Sequence, residues 1–331
     1  MTTQTTEKST QVAAQVSSSE RMGNWGRRLL PYALIIGLMI LFSAKNKNFM
    51  TVDNMFNILR SSSTLMVIAC GATLIIVAGS IDLSVGAVAA LTGTIAVYLN
   101  LEGMTQWMWL AIPIGLVCGL LNGVLVAYAK LPSFLTTLGT LFILDGLALR
   151  ITGGASQLMD APTLDKMIND EWILGIPNII WWAVVIFVIT AIVAYRTPFG
   201  RRVYAIGGNE RVARLSGLRV ERTKLMLFGL SGLLAGVAGL MLIGQGGGSS
   251  PGMGDPFLLN SIAAVVMGGT ALNGGSGGPA RTILGVLTLG IVTNGMVLSQ
   301  VDPNYQTVVF GVIVLFAVIV SVRRSETGVV K

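Results

Sequence analysis

Few side chains in this sequence could do chemistry, and the clearest of them lie between two apolar runs. Asp82 and Ser84 occur in the segment Ser80-Ile-Asp-Leu-Ser-Val-Gly86. A carboxylate at membrane depth is costly and usually functional, so Asp82 could contact a substrate or an ion. An Asp or Ser directly before a helix can instead cap its first turn, where negative charge suits the helix dipole. We favour a cap formed by Ser80 or Asp82.

Other polar side chains lie inside long apolar runs. They could form hydrogen bonds between neighbouring helices, or they could line a hydrophilic pathway, and the sequence does not separate these two interpretations. We interpret Asp145 and Arg150 as a charge pair near the membrane surface or as an interface anchor. The polar residues inside apolar runs are Asn122, Thr136, Thr137, Asp145, Asn260 and Asn294.

Several kinds of functional residue and motif are missing from the sequence, and their absence excludes some classes of function. The chain contains no histidine, which excludes a histidine base, proton relay or metal ligand. Cys70 and Cys118 lie in apolar runs and are expected to be small buried hydrophobic residues. The glycine-rich segment 268–278 has no lysine where a phosphate-binding loop requires one. We therefore predict no catalytic residue, no metal site and no cofactor in this chain.

One long polar loop, 196–224, contains a candidate helix. It carries eight of the 22 lysine and arginine residues of the chain. Asn209 follows the Gly207-Gly208 pair, which we expect to be flexible, and Asn209 is a candidate N-cap. Glu210 would lie in the first helical turn, where its charge suits the helix dipole.

Three residues of this predicted helix lie on one face. Val212, Leu215 and Ser216 share one side at helical spacing, and Gly217 can end the helix. An ordinary basic loop that sets membrane orientation is one interpretation. A helix that docks a cytosolic partner is the other, and we favour it because the loop is longer than orientation alone requires.

Composition indicates which elements must position these residues. Of 331 residues, 53% are hydrophobic and 11% are charged, against about 25% charged in soluble domains. Such a chain is not a soluble enzyme, a disordered protein or a disulfide scaffold. A membrane-spanning helix needs about 20 apolar residues. Ten segments are candidates, and several of them are short: 29–44, 62–79, 83–101, 107–129, 132–150, 177–195, 225–244, 257–272, 282–299 and 305–321.

The distribution of charge predicts the orientation. Basic loops face the cytosol, which places 196–224 inside and the acidic loop 152–176 outside. Ten spans with both termini inside satisfy this, with Lys45, Lys47 and Arg60 as exceptions. We predict an all-α polytopic membrane protein. Its parts are a disordered cytosolic tail (1–28), a transmembrane domain (29–322) and a second cytosolic tail (323–331).

A weak internal repeat divides the transmembrane domain. Asn122-Gly123 and Asn294-Gly295 lie 172 residues apart, and each precedes a proline, an aromatic residue and another apolar run. The predicted halves are about 29–151 and 177–322. Because five spans is an odd number, the halves would have inverted topology, which is a common transporter design.

Six motifs occur in a fixed order along the chain. They are Ser80-Ile-Asp-Leu-Ser-Val-Gly86, Phe134-Leu-Thr-Thr-Leu-Gly139, Thr197-Pro-Phe-Gly-Arg201, Gly207-Gly-Asn-Glu-Arg-Val-Ala-Arg-Leu-Ser-Gly217, Leu230-Ser-Gly-Leu-Leu-Ala-Gly236 and Ile262-Ala-Ala-Val-Val-Met-Gly-Gly-Thr270. In this order they resemble the motifs of one family, the permease subunits of bacterial ABC importers for simple sugars. The resemblance covers about residues 50–322 and includes importers of ribose, galactose, arabinose and xylose, and autoinducer-2 relatives.

The resemblance implies a subunit of the bacterial cytoplasmic membrane that forms the pathway for a monosaccharide, a pentose or a hexose. It implies an external sugar-binding protein, a second permease copy, and a cytosolic ATPase with two fused nucleotide-binding domains that uses the ATP and Mg²⁺. It also implies that the helix in 196–224 couples to this ATPase. The coupling residues would be Gly207, Gly208, Asn209, Glu210, Val212, Ala213, Arg214, Leu215 and Gly217, and the pathway or capping residues Asp82, Ser84, Asn122, Thr136, Thr137, Asn260 and Asn294.

The chain departs from the family pattern at Ser80, at Leu258-Leu259-Asn260 and at Asp145, which could mark a different substrate. An ion-coupled secondary transporter with Asp82 and Asp145 as cation sites is the alternative function. The docking helix argues against it, since a secondary carrier needs none. An integral membrane enzyme is a third class, but no nucleophile–base pair supports it.

Overall fold

The computed structural model describes residues 31–302, 304–306, 308–313 and 315, most of which are helical. The elements in chain order are α1 (Pro31–Lys45), α2 (Val52–Val77), α3 (Val85–Leu101), a 3₁₀ helix (Thr105–Leu110), α4 (Ala111–Ala127), α5 (Ser133–Thr152), β1 (Gln157–Leu158), α6 (Pro162–Asn169), α7 (Asn178–Arg196), α8 (Pro198–Gly208), α9 (Glu210–Leu215), α10 (Val220–Gly246), β2 (Gly248–Ser249), α11 (Asp255–Met267), α12 (Pro279–Leu298) and the helical residues 304–306, 308–313 and 315.

Helices α2 and α10 form the centre of the bundle, because most of their residues are buried. Helix α4 packs along α10, and α12 packs along α2. Helix α3 contacts both central helices, whereas α11 contacts α2, α3 and α12. Helices α5 and α7 expose most of their length. Large side chains such as Ile75 and Phe228 are fully buried in this core.

The helices agree with a polytopic membrane protein. Among the described residues, α2, the 3₁₀ helix with α4, α5, α7, α10 and α12 are long and apolar enough to cross a membrane. Helices α1, α3 and α11 are shorter apolar helices. The count of ten spans, the two inverted halves and the cytosolic termini stay predictions. The predicted tails, 1–28 and 323–331, lie outside the described residues.

The structure moves the predicted start of the second span by ten residues. Helix α2 begins at Val52, where Thr51 accepts a hydrogen bond from the Asn54 N–H, whereas the apolar run begins at residue 62. Hydropathy misses the first turns because they are polar. Arg60 in these turns donates a hydrogen bond to Asn169 of α6, so packing partners stabilise a stretch that hydropathy does not mark.

Four elements, two helices and two short strands, lie between the predicted spans. Helix α6 begins with Pro162 at a position where its missing N–H costs nothing. Helix α8 begins after Thr197, which accepts a hydrogen bond from the Gly200 N–H (3.2 Å). Strands β1 and β2 pair in antiparallel register, Gln157 with Ser249. The pairing joins the segments 152–176 and 247–254, both of which the predicted topology places outside.

Two segments turn back into the bundle before a helix begins. After α2, residues 78–84 return far enough for the Asp82 carboxylate to bond Ser231, which contacts Gly71, nearly two turns before the end of α2. After β2, residues 250–254 return likewise, and Gly254 packs against Gly86 so closely that a Cβ on either would overlap the other's backbone. The first turns of α3 and α11 therefore meet inside the protein.

Contacts group the loops at two ends of the bundle. At one end, Ser133 bonds the backbone of Ile81, and Tyr204 bonds that of Gly277. At the other end, the Asn46 side chain donates to the Leu298 carbonyl (2.9 Å). The charge distribution predicts that the first of these ends is cytosolic and that the second is external.

Candidate functional site

Helix α8 is fixed to the bundle by a glycine. The Gly207 Cα approaches the Val77 carbonyl at the end of α2 so closely that a side chain would overlap it. The same carbonyl accepts a hydrogen bond from the Gly275 N–H (2.8 Å). The expected flexibility of the Gly207-Gly208 pair is wrong, because both glycines are the last residues of α8. Glycine is needed here for close approach.

Tyrosines add a second attachment of this region to the loop before α12. The Tyr204 hydroxyl donates to the Gly277 carbonyl (2.9 Å), and the Tyr195 hydroxyl accepts from the Ala280 N–H (3.3 Å). The two tyrosine rings stack with centroids 6.4 Å apart. Helix α8 thus contacts both the end of α2 and the approach to α12.

Helix α9 begins and ends as predicted. The Asn209 side chain accepts a hydrogen bond from the Val212 N–H (3.0 Å), which satisfies one free donor of the first turn. Gly217, two residues after the last helical residue, has φ +82°. A left-handed residue there is typical of a helix C-terminus, and glycine adopts it without steric cost.

The two sides of α9 differ in burial. Ala213 is buried against Ile206 and Val220. Val212 and Leu215 point away from the protein, and 56% and 81% of their surfaces are exposed. An anchored helix that exposes two branched apolar side chains beside basic residues has the character of a protein-binding surface.

Ion pairs fix α9 to the start of α10. Glu210 accepts hydrogen bonds from Lys224 (2.7 Å) and Arg214 (3.2 Å), and Arg214 also bonds Glu221. Partial burial acts to raise the pKa of Glu210, but the hydrogen bonds and charges of Lys224 and Arg214 outweigh it and hold that pKa below its ordinary value. These groups line a cleft of about 640 Å³, whose far wall includes Ser80 and residues 130–133.

A buried polar network joins four helices around Asp82. Asp82 Oδ1 accepts hydrogen bonds from the Ser84 N–H (2.9 Å) and hydroxyl (2.7 Å), and Oδ2 accepts from the Ser231 hydroxyl of α10 (3.2 Å). The Ser84 hydroxyl accepts from Asn122 Nδ2 of α4 (2.8 Å), and Asn122 Oδ1 accepts from the Thr140 hydroxyl of α5 (2.6 Å). Three donors compensate the buried carboxylate, which otherwise would be strongly disfavoured.

The predicted cap by Ser80 or Asp82 is wrong. The residue before α3 is Ser84, and no side chain bonds the first-turn N–H groups of the helix. Because residues 78–84 turn back into the bundle, the Asp82 carboxylate reaches the Ser84 N–H and α10 instead. Asp82 holds the start of α3 against a neighbouring helix.

The first turns of α5 stabilise the same returning segment. The Ser133 hydroxyl accepts from the Ile81 N–H (3.1 Å), and the Thr137 hydroxyl accepts from the Leu83 N–H (3.0 Å). Thr136 bonds only within its own helix region, to the Pro132 carbonyl (3.0 Å). Inside a membrane protein, the N–H groups of a non-helical backbone need hydrogen-bond acceptors within the protein. The Thr137 hydroxyl is such an acceptor for Leu83.

The remaining predicted polar residues lie elsewhere. Asn294 of α12 and Asn54 of α2 exchange two side-chain hydrogen bonds of 2.9 Å near the opposite end of the bundle. Asn260 of α11 is partly exposed and joins neither group. Among the described residues, Asp145 and Arg150 form no ion pair, so that predicted pair is wrong. Asp145 faces a cavity instead.

Sequence reasoning missed four residues of these networks. Each is a small polar residue in or beside an apolar run, and most lay within one helical turn of a residue or motif already singled out. Thr140 follows Thr136 by four residues, which is a signal for one helix face. Ser231 lies inside the motif 230–236, but nothing in that motif indicates its contact with Asp82, which is 149 residues away. The four are Asn54, Ser133, Thr140 and Ser231.

Comparisons with known proteins identify the family. Residues 54–318 match the family described as branched-chain amino acid transport system / permease component. The chain is 37% identical over 304 residues to the ribose import permease protein RbsC of Haemophilus influenzae, covering 89% of this chain and 94% of the relative. This chain belongs to the permeases of sugar-type ABC importers. No solved structure matches it significantly.

Further relatives agree with this assignment. The permease is 37% identical to RbsC of Bacillus subtilis, covering 90% of this chain and 94% of the relative. It is 36% identical to the L-arabinose transport system permease protein AraH of Escherichia coli, covering 89% and 92%. These findings support the importer over the ion-coupled alternative.

Membership in the family assigns the permease its place in a complex. It is a multi-pass protein of the bacterial inner membrane and a transport subunit without enzymatic activity. ATP hydrolysis falls to a partner ATPase, and a substrate-binding protein is the other partner that an import permease implies.

Proposed function

We propose that this permease imports a monosaccharide, a pentose or a hexose, delivered by an external sugar-binding protein. The support is its similarity, over about nine-tenths of each chain, to relatives named for ribose and L-arabinose. The chain itself holds no cofactor, and the ATP and Mg²⁺ are bound by the partner ATPase.

Helix α9 is the coupling helix in this proposal, and its anchored, half-exposed structure carries the argument. Val212 and Leu215 would enter a groove of the ATPase. A displacement of α9 would reach α10 through the ion pairs of Glu210 and Arg214. It would reach α2 through Gly207, whose contact with Val77 leaves no free space.

The proposed assembly contains two copies of the permease and an ATPase with two fused nucleotide-binding domains. Each permease would have ten spans in two inverted halves, with both termini in the cytosol. The apolar surfaces of α5 and α7, which the described part of the chain leaves exposed, are available for lipid and for the second copy. Native mass spectrometry of the purified complex would then find two copies of this chain.

A charge placed on the exposed face of α9 tests the coupling. The permease, its ATPase and its binding protein are reconstituted in proteoliposomes, and sugar uptake and ATP hydrolysis are measured together. Leu215→Asp is expected to reduce uptake at least about tenfold, since burying an unpaired carboxylate costs several kcal/mol. The matched control is Leu158→Asp, because Leu158 is also 81% exposed but lies on β1 at the opposite end.

Two results would contradict the proposal. Equal uptake by Leu215→Asp and the wild type would remove the docking role of α9. Full concentrative uptake by the permease alone, without ATP, would remove the importer mechanism. Gel filtration and ATPase co-purification show whether a loss of uptake reflects lost docking rather than lost folding.

A further inference from the structure

A cavity lies between α3, α5 and the returning segment before α11, toward the end of the bundle opposite α9. Its volume is about 340 Å³, within the range of about 300–1,000 Å³ typical of small-molecule sites. Thr94, Asp145, Thr152, Ser250 and Asp255 supply its polar walls.

The hydroxyl group of Thr94 indicates that the cavity binds a ligand. Only 1% of its surface is exposed, yet its hydroxyl has no hydrogen-bond partner among the described residues. Thr92, two residues earlier in α3, donates to the Val88 carbonyl (2.8 Å), and Thr152 donates to the Ala148 carbonyl (3.1 Å). A buried hydroxyl without a partner costs free energy unless water or a ligand satisfies it.

The charge of the cavity restricts which ligand fits. Asp145 and Asp255 are near enough to interact electrostatically, and no lysine or arginine lies among the lining residues. Neither carboxylate is ion-paired with a described residue. Two unpaired carboxylates accept hydrogen bonds from hydroxyl groups and repel anions.

We propose that this cavity is a substrate subsite on the external side of the pathway, which binds an uncharged polyhydroxylated solute. Its hydroxyls would donate to Asp145 and Asp255 and exchange a hydrogen bond with Thr94. The subsite excludes phosphorylated and carboxylated sugars. This inference rests on the proposed sugar import and names the residues that contact the sugar.

Cysteine labelling tests the subsite without the ATPase. Thr94→Cys is made in a Cys70→Ala/Cys118→Ala background, and the full chain in membrane vesicles is treated from outside with a cationic and an anionic methanethiosulfonate reagent. The cationic reagent is expected to react at least about tenfold faster, because the carboxylates attract it. Asp145→Asn/Asp255→Asn is expected to remove most of this difference.

Three controls complete the design. Thr92→Cys points away from the cavity and is expected to stay unlabelled. Ser250→Cys, on the opposite wall, is a second reporter if Thr94→Cys does not fold. D-ribose, L-arabinose or D-galactose at saturating concentration is expected to slow labelling by about half or more, whereas D-ribose 5-phosphate is expected to have no effect.

The outcomes separate the possibilities. Equal rates for both reagents, or labelling of Thr92→Cys in place of the cavity positions, would overturn the subsite. A charge preference without protection by any of the sugars would leave an acidic surface that binds no sugar, which also overturns it. Because sugar uptake by the complete complex is measured separately, neither result bears on the proposed import.

Discussion

Two helix contacts that the proposed repeat makes counterparts are built in different ways. Helix α4 crosses α10 through glycines, whereas α12 crosses α2 through hydroxyl and amide groups. At the first contact, a Cβ on Gly119 would lie 3.0 Å from the Gly232 Cα and would overlap the Phe228 carbonyl. Gly115 and Gly232 approach each other's backbones in the same way.

The α2–α12 contact has side chains between the helices. Asn54 and Asn294 exchange two hydrogen bonds, and the hydroxyls of Thr73 and Thr282 lie 2.7 Å apart. Backbones in direct contact gain van der Waals attraction but cannot adjust to added atoms, whereas side chains can change rotamer. The difference teaches that equivalent positions in the two halves should tolerate substitution unequally.

The largest effect is expected at the glycine contact. Gly119→Ala should lower the free energy of unfolding by about 3 kcal/mol, since both backbones must separate. A thiol-reactive dye that reports exposure of the buried Cys70 and Cys118 can follow thermal unfolding. Gly139→Ala is the control, because nothing lies within 4 Å of its added carbon. It should stabilise α5 by about 0.5–1 kcal/mol.

The next largest effect is expected at the amide pair. Asn294→Leu should lower the free energy of unfolding by about 2 kcal/mol, because the buried Asn54 amide then loses its hydrogen bonds to Asn294. The double variant Asn54→Leu/Asn294→Leu should recover part of this loss in the same assay. Strictly additive effects would show that the pair does not stabilise the α2–α12 contact. Asn260→Leu, outside both networks, is the control.

Gly290 of α12 is a position where a second substitution should restore the stability that the first one removes. A Cβ on Gly290 would overlap only the Ser62 hydroxyl, and that buried hydroxyl has no hydrogen-bond partner among the described residues. Gly290→Ala should cost about 1 kcal/mol, and Ser62→Ala should restore stability. A cost for Gly290→Ala as large as that for Gly119→Ala would contradict the distinction between the contacts.

The smallest effect is expected at the hydroxyl pair. Thr73→Val keeps the shape of the side chain and removes its hydrogen bonds to Thr282 and to the Ala69 carbonyl. Hydrogen bonds between membrane helices contribute about 0.6 kcal/mol on average. The free energy of unfolding should therefore fall by about that amount. Thr293→Val, whose hydroxyl bonds only its own helix, should shift less. A shift above that of Asn294→Leu would reverse the order.

The structure of helix α9 was predictable because its signals are local. The N-cap at Asn209, the glycine after the helix and the exposed face of Val212 and Leu215 all lie within nine residues. Helix α8 was not predicted, because its stability comes from a contact of Gly207 with α2, 130 residues away. A local sequence pattern indicates the intrinsic preference of a segment for a helix. It does not indicate a contact with a residue that is distant in the sequence.

The sequence alone determined the membrane class, most of the long helices and the capped helix α9. These follow from composition, hydropathy and short spacing. Tertiary structure alone decided that Asp82 anchors α3 to α10 rather than capping it, that Asn122 and Asn294 belong to separate networks, and that Asp145 faces a cavity with Asp255. Each of these depends on where the chain turns back into the bundle. The path of the backbone at those turns is determined by packing between residues that are distant in the sequence.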